Sequence, residues 1–471
     1  MYACGPTVYN YPHIGNMRRY IADDILLRVL TYNDYNVKHI MNITDVGHLT
    51  QDDIDAGDDK VLVAARREGK SPRQIAAFYT KAFLHDSQLL NLREPSRYVK
   101  ATDHISEMQD LSEQLIEKGH AYEVDGNVYF DVQSFKKYGQ LSGNTLDALK
   151  EKTRAELKDA SFAQKKHPAD FALWIKAAPD HILQWPSPWG RGYPGWHVEC
   201  AAMILKHLAE TIDIHIGGED HIFPHHEDEI AEAEGVTGKP LANYWIHVRF
   251  LKLDGKKMAK REGSFLRLVD LQTKGFHPMA FRYLVLSAQF NSPMQFSWEA
   301  LEAAQEGWER LRDVVARLRD FPAVGSTSGA VPREVQAELG ELKIRFVEAI
   351  NDNLGTPRAL AVQSDVLVFA NKLMAQKQQV YPALNAVLEL LLDFDKVLGL
   401  IPLGQDFLPD TERTELEQLL RKREQLRHAK KYKEADAARD KVLAMGYELN
   451  DTPQGIEWLK KATGQHGIFR V

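Results

Sequence analysis

Residues 2–44, YACGPTVYNYPHIGNMRRYIADDILLRVLTYNDYNVKHIMNIT, decide the fold of this 471-residue chain. A short apolar run is followed by the turn-rich segment 6–15, a helical pattern over 16–30 and a second apolar run at 37–44. A strand, a glycine-bearing turn, a helix and another strand begin an α/β nucleotide-binding unit, with the turn at the carboxyl end of the first strand. The sequence therefore predicts an α/β fold whose first candidate site is this turn.

The composition is typical of a globular protein with two or more domains, since 471 residues are too many for one hydrophobic core. Its 44% hydrophobic and 27% charged residues exclude a disordered chain, and its two cysteines exclude a disulfide scaffold. The sequence shows no apolar run long enough for a membrane helix and no signal peptide after Met1, so we expect a cytoplasmic protein that binds no membrane.

The net charge of −7, from 59 basic and 66 acidic residues, does not by itself indicate nucleic-acid binding. The exception is 421–433, RKREQLRHAKKYK, which contains seven lysines and arginines and a single acid. This run is either a solvated helical face or a contact for an RNA backbone. Tyr447 and Trp458 follow it, and we expect both to stack on exposed bases.

After the first unit the sequence predicts, in order, a loop at 47–59, a helical stretch over 71–119, a hairpin over 121–132 with its turn at the Asp-Gly pair 125–126, and a lysine-rich insert over 133–185. The α/β pattern resumes at residue 186. Helices are predicted over 297–318 and 332–400, with a linker at 322–332 and a break at 401–409.

Two short motifs offer contacts for phosphate. His13 and Gly15 lie where a helix begins, and a helix N-terminus attracts anions because its first amides point outward. Lys257 and Lys260 lie in a glycine-flanked loop, from which two lysines can neutralise a polyphosphate. Each motif alone also fits a plainer structure, an ordinary turn or a basic surface loop.

The third candidate site is a cluster of possible metal ligands, Cys200, His225, His226, Asp228 and Glu229. His225 and Glu229 are four residues apart in a helical run, so they share one helix face. Zinc accepts thiolate, imidazole and carboxylate ligands, and Cys4 with Cys200 would complete a Cys₂HisGlu set. The alternative is that these side chains form only the solvent-exposed polar face of a helix and bind no metal. The nearby Gly217 would admit a ligand close to the backbone.

These signals occur in the order and spacing of one family, and the chain closely resembles the cysteinyl-tRNA synthetases, which are class I aminoacyl-tRNA synthetases. The motifs that carry the resemblance span nearly the whole chain: Cys4-Gly-Pro-Thr-Val-Tyr9, His13-Ile-Gly-Asn16, Asn42-Ile-Thr-Asp45, Gly195-Trp-His-Val-Glu-Cys200, Asp213-Ile-His215, Phe223-Pro-His-His-Glu-Asp-Glu229, Lys257-Met-Ala-Lys260, Ala435-Asp-Ala-Ala-Arg-Asp440 and Gly446-Tyr-Glu-Leu449.

The resemblance implies a split Rossmann-type parallel-sheet catalytic domain with an insert, followed by an all-α helical bundle and a small C-terminal domain. The implied ranges are 1–85 and 186–250 for the two halves of the catalytic domain, 86–185 for the insert, 251–321 for the lysine loop and a connective helical region, 332–400 for a tRNA-binding bundle and 405–471 for an anticodon-binding domain.

The resemblance also implies the ligand contacts. One zinc ion per chain would be held by Cys4, Cys200, His225 and Glu229. L-Cysteine would be bound by zinc through its thiolate, with its amino-acid end near Gly5, Thr44, Trp196 and Asp220. ATP, with Mg²⁺, would contact Pro6, Thr7, His13, Gly15, Asn16, His215, Gly217 and Lys260. The catalytic residues would be His13, Asn16, Lys257 and Lys260.

The implied reaction has two steps, the ATP-dependent activation of cysteine to cysteinyl-adenylate and its transfer to the 3′ end of tRNA(Cys), carried out by a monomer. Zinc would select cysteine because it binds a deprotonated thiol far better than the hydroxyl of serine. Discrimination through one strong, specific bond reaches factors near ~10⁴, so a separate editing site would be unnecessary.

The chain departs from the family pattern in four places. Asn16 replaces a histidine, so this position cannot carry charge. Ala259 and Arg261 replace two hydroxyl-bearing residues of the lysine loop, and residues 47–57 are additional. The chain begins two residues before the Ala-Cys-Gly motif, so we expect the strand that usually precedes this motif to be missing.

Two other functions fit part of the pattern. A ligase that joins cysteine to a small amino sugar would use the same zinc pocket but would not need the helical and basic region 332–471. A catalytically weakened relative that binds tRNA or a nucleotide as a regulator would account for Asn16, Ala259 and Arg261. Cysteine-dependent exchange of pyrophosphate into ATP, with and without tRNA, distinguishes these alternatives.

Overall fold

The structure is a computed structural model that describes residues 1–47, 49–51, 56–146, 164–179, 181–253, 256–257, 265–320, 330–376, 381–401, 410–452, 455–460 and 466–469. The chain divides into two compact units. The first consists of Met1–Pro278 with Ala288–Trp298, and the second of Met279–Ser287 with Glu299–Val471.

The strands of the first unit are β1 (Tyr2–Ala3), β2 (Ile40–Ile43), β3 (Leu49–Gln51), β4 (Ala56–Asp59), β5 (Arg97–Lys100), β6 (Ala121–Val124), β7 (Asn127–Phe130), β8 (Phe171–Lys176), β9 (Gly192–Pro194), β10 (Ile212–Gly218), β11 (Ala242–Val248), β12 (Leu251–Leu253), β13 (Lys256–Lys257) and β14 (Met294–Phe296). Its helices are α1 (Ile14–Tyr32), α2 (Lys60–Glu68), α3 (Pro72–Leu89), α4 (Ile105–Glu117), α5 (Trp196–His207), α6 (Glu227–Thr237) and α7 (Leu268–Thr273).

Five parallel strands form the central sheet, in the order β11-β10-β1-β2-β5. The middle strand β1 has two residues, and its Tyr2 pairs with His215 on one side and Ile40 on the other. A strand therefore does lead into Cys4, which corrects the expectation that the motif lacks one. The chain leaves β1 towards β2 and later returns on the other side as β10, so the connections reverse direction between β1 and β10. Open α/β sheets bind ligands at this kind of position, beyond the carboxyl ends of the strands.

The expected hairpin within the insert is present. Strands β6 and β7 pair from Ala121 with Phe130 to Val124 with Asn127, and β8 and β9 extend the same antiparallel sheet. The turn residues Asp125 and Gly126 have φ values of 52° and 84°. Two successive left-handed residues make the tight turn that an Asp-Gly pair favours, because its twist matches that of the paired strands.

Two sequence predictions in the first unit are wrong. The stretch 71–119 is not continuously helical, because Arg97–Lys100 forms β5 and pairs with β2. This strand also lies inside the range 86–185 that the resemblance assigns to the insert. The segment 47–59 is not simply a loop, because its described parts form the antiparallel pair β3 and β4. α2 then begins at Lys60, with the carboxylate of Asp59 accepting the first amides of the helix.

The second unit contains the helices α8 (Pro278–Leu286), α9 (Trp298–Asp320), α10 (Arg333–Asn351), α11 (Thr356–Met374), α12 (Tyr381–Leu398), α13 (Asp410–His428) and α14 (Tyr432–Ala444), with Pro278 and Trp298 counted in the first unit. A three-stranded antiparallel sheet closes the chain, β15 (Tyr447–Thr452), β16 (Gly455–Lys460) and β17 (His466–Phe469). The predicted helices of the last third are therefore present, whereas the linker 322–332 and the break 401–409 lie largely outside the described residues. Among the residues described, every helix is too short or too polar to span a bilayer.

The small C-terminal sheet packs its aromatic side chains inward. Tyr447 is fully buried, and Trp458 is 1% exposed in one cluster with Leu416, Leu420 and Phe469. The expectation that Tyr447 and Trp458 stack on exposed bases is therefore wrong: both residues form the core between the sheet and α13.

Candidate active site

The four predicted zinc ligands lie together at the carboxyl end of the central sheet. Cys4 directly follows β1, Cys200 lies in α5, and His225 and Glu229 lie on either side of the start of α6. One donor atom of each residue lies within 4.8 Å of the donor atoms of the other three, and all four residues are buried. The fold thus brings together side chains from three separate segments of the sequence.

The donor atoms of the four residues lie close to one another. Nε2 of His225 lies 3.6 Å from Sγ of Cys200 and 2.9 Å from Oε1 of Glu229. Both cysteines are free thiols. Oε1 of Glu229 is buried, and apart from its 2.9 Å contact with His225 it has no hydrogen-bond partner in the described part of the chain. Two thiols, an imidazole nitrogen and a carboxylate oxygen are donors that zinc takes, so the residues present fit this metal.

The charges at this cluster are strongly coupled. Burial raises the pKa of Cys4 and raises the pKa of Cys200 well above that of an ordinary thiol. Burial also acts to raise the pKa of Glu229, but His215 and His225 outweigh it and lower that pKa below its ordinary value. Burial lowers the pKa of His225, but Glu229 and Cys200 outweigh it, so this pKa stands well above its ordinary value. A cation bound here would replace the protons on these groups.

Further histidines contact the outer side of these donors. Nε2 of His226 lies 3.3 Å from Sγ of Cys4, and Nε2 of His215 lies 2.6 Å from Oε2 of Glu229. Cys4, His215, His226 and Glu229 therefore form an alternative group whose donor atoms also lie within 4.8 Å of one another. His215 is fully buried, and its ring faces Glu229. The ATP contact that the resemblance implies for His215 stays a prediction.

Two glycines of the predicted site are required by close packing. A Cβ atom at Gly5 would lie 1.5 Å from the carbonyl oxygen of Asn42. A Cβ atom at Gly217 would lie 2.7 Å from the ring of His226 and 2.8 Å from that of His221. The absent side chain at Gly217 therefore makes room for histidine rings. The ATP contact that the resemblance implies for this glycine stays a prediction.

The residues expected around the amino-acid end of cysteine lie near the metal cluster. Trp196 stacks on His225, with ring centroids 4.2 Å apart and an angle of 15° between the rings. Asn42, to which the sequence analysis assigned no role, accepts a hydrogen bond from the Gly5 amide at 2.5 Å and donates one to Oγ1 of Thr44 at 2.9 Å. The remaining predicted contact, Asp220, lies in the helical turn Glu219–His221 that follows β10.

The turn that precedes α1, where the sequence predicts phosphate binding, is held by a reciprocal cap. Nδ1 of His13 accepts a hydrogen bond from the Asn16 amide at 3.1 Å, and Oδ1 of Asn16 accepts one from the His13 amide at 3.2 Å. An Nδ1 atom that accepts leaves the ring proton on Nε2, which is the donor that a phosphate requires. Asn16 therefore positions His13. Ahead of the turn, the carbonyl oxygen of Pro6 accepts from the Thr44 amide at 3.0 Å, and Thr7 pairs with Thr44.

Both flanks of the lysine loop are attached to α1. The guanidinium group of Arg18 donates hydrogen bonds of 2.6–3.1 Å to four backbone carbonyl oxygens, those of Arg249, Phe250, Gln289 and Ser292. The amide of Ile14 donates to the carbonyl oxygen of Leu266 at 2.8 Å. The backbone of Lys257 lies in β13, between these two attachments, whereas Lys260 lies outside the described residues. Arg18 was not among the residues predicted from the sequence.

Comparison with known proteins agrees with this arrangement. The family described as the tRNA synthetases class I (C) catalytic domain matches residues 1–306. A cysteine–tRNA ligase of Treponema denticola is 41% identical over 98% of this chain and 95% of its own length, and one of Thermus thermophilus is 42% identical over 97% and 94%. The fold resembles a solved methionyl-tRNA synthetase of Mycobacterium tuberculosis in complex with methionyl-adenylate, with a TM-score of 0.58 at 16% identity over 89% of this chain and 93% of that one. The chain belongs to the cysteine–tRNA ligase family of class I aminoacyl-tRNA synthetases.

Proposed function

We propose that this chain activates L-cysteine with ATP to cysteinyl-adenylate and transfers the cysteinyl group to the 3′ end of tRNA(Cys). The observation that carries the proposal is the buried cluster of Cys4, Cys200, His225 and Glu229 at the reversal of the central sheet. The turn that caps α1 lies on the same chain segment, a few residues after Cys4. A thiol-binding pocket next to a phosphate-binding turn fits an ATP-dependent reaction of a thiol substrate.

Cys4, Cys200, His225 and Glu229 would hold one zinc ion per chain. Bound there, zinc supplies a Lewis acid that takes up a thiolate and binds the hydroxyl group of serine poorly. The substrate contacts that we propose beside it are Gly5, Thr44, Trp196 and Asp220. Trp196 holds the plane of the His225 ring by stacking on it, and the carboxylate of Asp220 suits the ammonium group of an amino acid.

In the first step a carboxylate oxygen of cysteine attacks the α-phosphorus of ATP and forms an oxygen–phosphorus bond. The bond from the α-phosphorus to the oxygen that bridges to the β-phosphate breaks, and pyrophosphate leaves. The chain needs no nucleophile of its own, because its task is to stabilise negative charge. Nε2–H of His13 and the start of α1 supply donors for this charge, and Asn16 holds the ring of His13. We propose that Lys257, Lys260 and Mg²⁺ neutralise the departing pyrophosphate. The backbone at Pro6, Thr7 and Gly15 would complete the ATP contacts.

In the second step a ribose hydroxyl of tRNA takes the cysteinyl group from the adenylate, and AMP leaves. The helical region 332–400 and the C-terminal region 405–471 would bind the tRNA. On α13, on α14 and in the turn between them, the exposed cations that suit an RNA backbone include Arg421, Lys422, Lys430, Lys431 and Lys433. Arg423 is not among them, because it is buried and paired with Asp451. We propose that the enzyme acts as a cytoplasmic monomer.

The alternative of a weakened, regulatory relative rests in part on Asn16, and the cap weakens that argument. Asn16 contributes to catalysis in this proposal by orienting His13, so its presence does not indicate a loss of activity. The alternative of a cysteine ligase with a small acceptor does not account for the second unit, and the matched relatives extend over that unit as well.

The experiment that tests the proposal is the exchange of labelled pyrophosphate into ATP by the purified chain, with each amino acid in turn. Exchange should require cysteine and proceed without tRNA, and addition of tRNA(Cys) should yield cysteinyl-tRNA. Cysteine-dependent exchange without any charging of tRNA would support the small-acceptor ligase. Absence of exchange, with tRNA still bound, would support the regulator.

A further inference from the structure

The second ring nitrogen of His225 has a specific partner. His225 presents Nε2 to Cys200 and Glu229, while its Nδ1 lies 3.1 Å from Nδ1 of His197. Both rings are buried. A histidine that binds a metal through Nε2 is neutral and carries its proton on Nδ1. That proton can only be donated here if Nδ1 of His197 accepts it.

The next contact determines which nitrogen of His197 accepts the proton of His225. Nε2 of His197 lies 3.5 Å from Oδ2 of Asp228, an electrostatic contact without hydrogen-bond geometry, and both side chains are 1% exposed. A carboxylate attracts a proton to the nitrogen that faces it, so His197 carries its proton on Nε2 and accepts through Nδ1. The opposite assignment would place an N–H of His225 towards Cys200 and Glu229 and prevent that ring from binding a metal.

The carboxylate of Asp228 is in turn held by the insert. The hydroxyl of Tyr138 donates a hydrogen bond of 2.5 Å to Oδ1 of Asp228. The following residues of the insert bind the neighbouring carboxylate, because the amides of Gly139 and Ser142 each donate to Glu227 at 2.8 Å. A continuous set of contacts therefore leads from the insert through α6 to a proposed metal ligand.

We propose that Tyr138, Asp228 and His197 are positioning residues that keep His225 in the tautomer with its proton on Nδ1, so that Nε2 is available to zinc. This inference rests on the proposed function, because it assumes that the cluster binds a metal. Trp196 sets the plane of the His225 ring by stacking, and His197 sets its protonation pattern. Neither Tyr138, Asp228 nor His197 would touch the metal or the substrate.

The test compares metal binding by the full-length wild type with His197→Phe, Asp228→Ala, Asp228→Asn and Tyr138→Phe. Zinc affinity is measured by competition with a chelator, and the absorption spectrum of the Co²⁺-substituted chain reports the ligand geometry. His197→Phe should weaken zinc binding by about 10–100-fold and alter the Co²⁺ spectrum, as loss of a partner of a ligating histidine does. Asp228→Ala should weaken binding by about tenfold, and Tyr138→Phe by less.

Two comparisons separate positioning from general packing. Asn at 228 keeps an oxygen that accepts from His197, so Asp228→Asn should recover most of the affinity that Asp228→Ala loses. Because Asp228 acts through His197, the double variant that combines His197→Phe with Asp228→Ala should bind zinc no more weakly than His197→Phe alone. The matched controls are His39→Phe and Tyr129→Phe, which alter equally buried side chains away from the cluster and should leave zinc affinity unchanged.

Wild-type zinc affinity and an unchanged Co²⁺ spectrum in His197→Phe and Asp228→Ala would overturn the inference, as would fully additive losses in the double variant. If His197→Phe fails to fold, the difference between Asp228→Ala and Asp228→Asn decides the question alone. If the proposed function itself were wrong, the experiment would show a different result, because the wild-type chain would bind no zinc or would not activate cysteine.

Discussion

Nε2 of His226 lies 3.3 Å from Sγ of Cys4, although 222 positions separate the two residues in the chain. Cys4 follows the central strand β1, whereas His226 belongs to the segment after β10, so the contact joins the two halves of the split sheet. The donor set is divided in the same way, with Cys4 in the first half and Cys200, His225 and Glu229 in the second. Metal binding should therefore depend on both halves.

Removal of either thiol should deplete the metal. The purified chain should contain one zinc ion, and Cys4→Ala or Cys200→Ala should lower the zinc content by ~10-fold or more after dialysis against a weak chelator. Ser112→Ala is the matched control, because Ser112 is fully buried in α4 and takes no part in the cluster. Elemental analysis measures the metal. Full retention of zinc by both cysteine variants would refute the donor set.

The two lysines of the loop should differ in importance. Lys260→Ala should slow adenylate formation by ~10²-fold or more with a smaller change in the KM for cysteine, since this lysine would act on charge that moves onto pyrophosphate. Lys256→Ala, next to Lys257 in β13, is the control and should have a small effect. Steady-state pyrophosphate exchange gives both constants. If Lys257→Ala abolished exchange and Lys260→Ala did not, the essential lysine would be the other one.

Truncation after Ile401 should separate the two steps. This cut keeps the carbonyl oxygens of Leu398 and Leu400, which accept hydrogen bonds from Arg282 at 2.8 Å and Trp308 at 2.9 Å. It removes the C-terminal cluster as a whole, because every residue of that cluster follows position 401. Pyrophosphate exchange should survive, whereas charging of tRNA should fall by ~10²-fold or more as phosphate contacts are lost.

Charging by the full-length chain should also weaken as salt concentration rises, since contacts with an RNA backbone release bound counterions. A truncated chain that charges tRNA as well as the full-length chain would mean that the removed region is structural. Equal loss of exchange and charging would mean that the region supports the catalytic fold.

Asp451 should stabilise the C-terminal sheet in a pH-dependent way. Arg423 is buried and donates hydrogen bonds of 2.8 and 2.7 Å to the two oxygens of Asp451, which lowers the pKa of that carboxyl group to about 2. Since this pKa is lower in the folded than in the unfolded chain, the stabilisation is complete above the unfolded value near ~4 and is lost as pH falls towards 2.

Asp451→Asn should accordingly destabilise this region at pH 7 by about 1 kcal/mol, because the buried guanidinium of Arg423 loses one of its two carboxylate partners and keeps Glu424, while the 44% exposure of the Asp451 side chain screens the lost charge. Hydrogen exchange of β15 and β16 in the intact chain measures the change, and the difference from wild type should shrink as pH falls below ~4. Asp440→Asn, at an exposed position of α14, is the control. A difference that did not depend on pH would contradict the assigned pair.

The features that the sequence predicted well are those with a local physical signature. An i, i+4 spacing places His225 and Glu229 on one helix face, and an Asp-Gly pair at 125–126 favours a tight hairpin turn. The composition of donor types then pointed to Cys4 and Cys200 as partners, although only the fold brings these residues to the same place.

The features that the sequence did not reveal depend on distant partners. β5 contains a single buried residue, Val99, so it lacks the apolar alternation of a strand and is defined by its pairing with β2. The polar sequence around Trp458 is the same whether this side chain is exposed and stacks on a base or is buried in a hydrophobic core. Which histidine faces the donors and which contacts them from behind depends on ring orientation, so the sequence showed no sign of the contact between His215 and Glu229 or of that between His197 and His225.

The most direct test of the central claim, that this buried cluster selects cysteine, is the rate of pyrophosphate exchange with cysteine and with serine on the zinc-loaded chain. The two substrates differ only in one side-chain atom, sulfur or oxygen. That atom would coordinate the zinc ion held by Cys4, Cys200, His225 and Glu229. The account predicts a ratio of kcat/KM values near ~10⁴ in favour of cysteine, because a site built for one specific bond rejects a substrate that cannot form it. Comparable exchange with serine and cysteine would contradict the account.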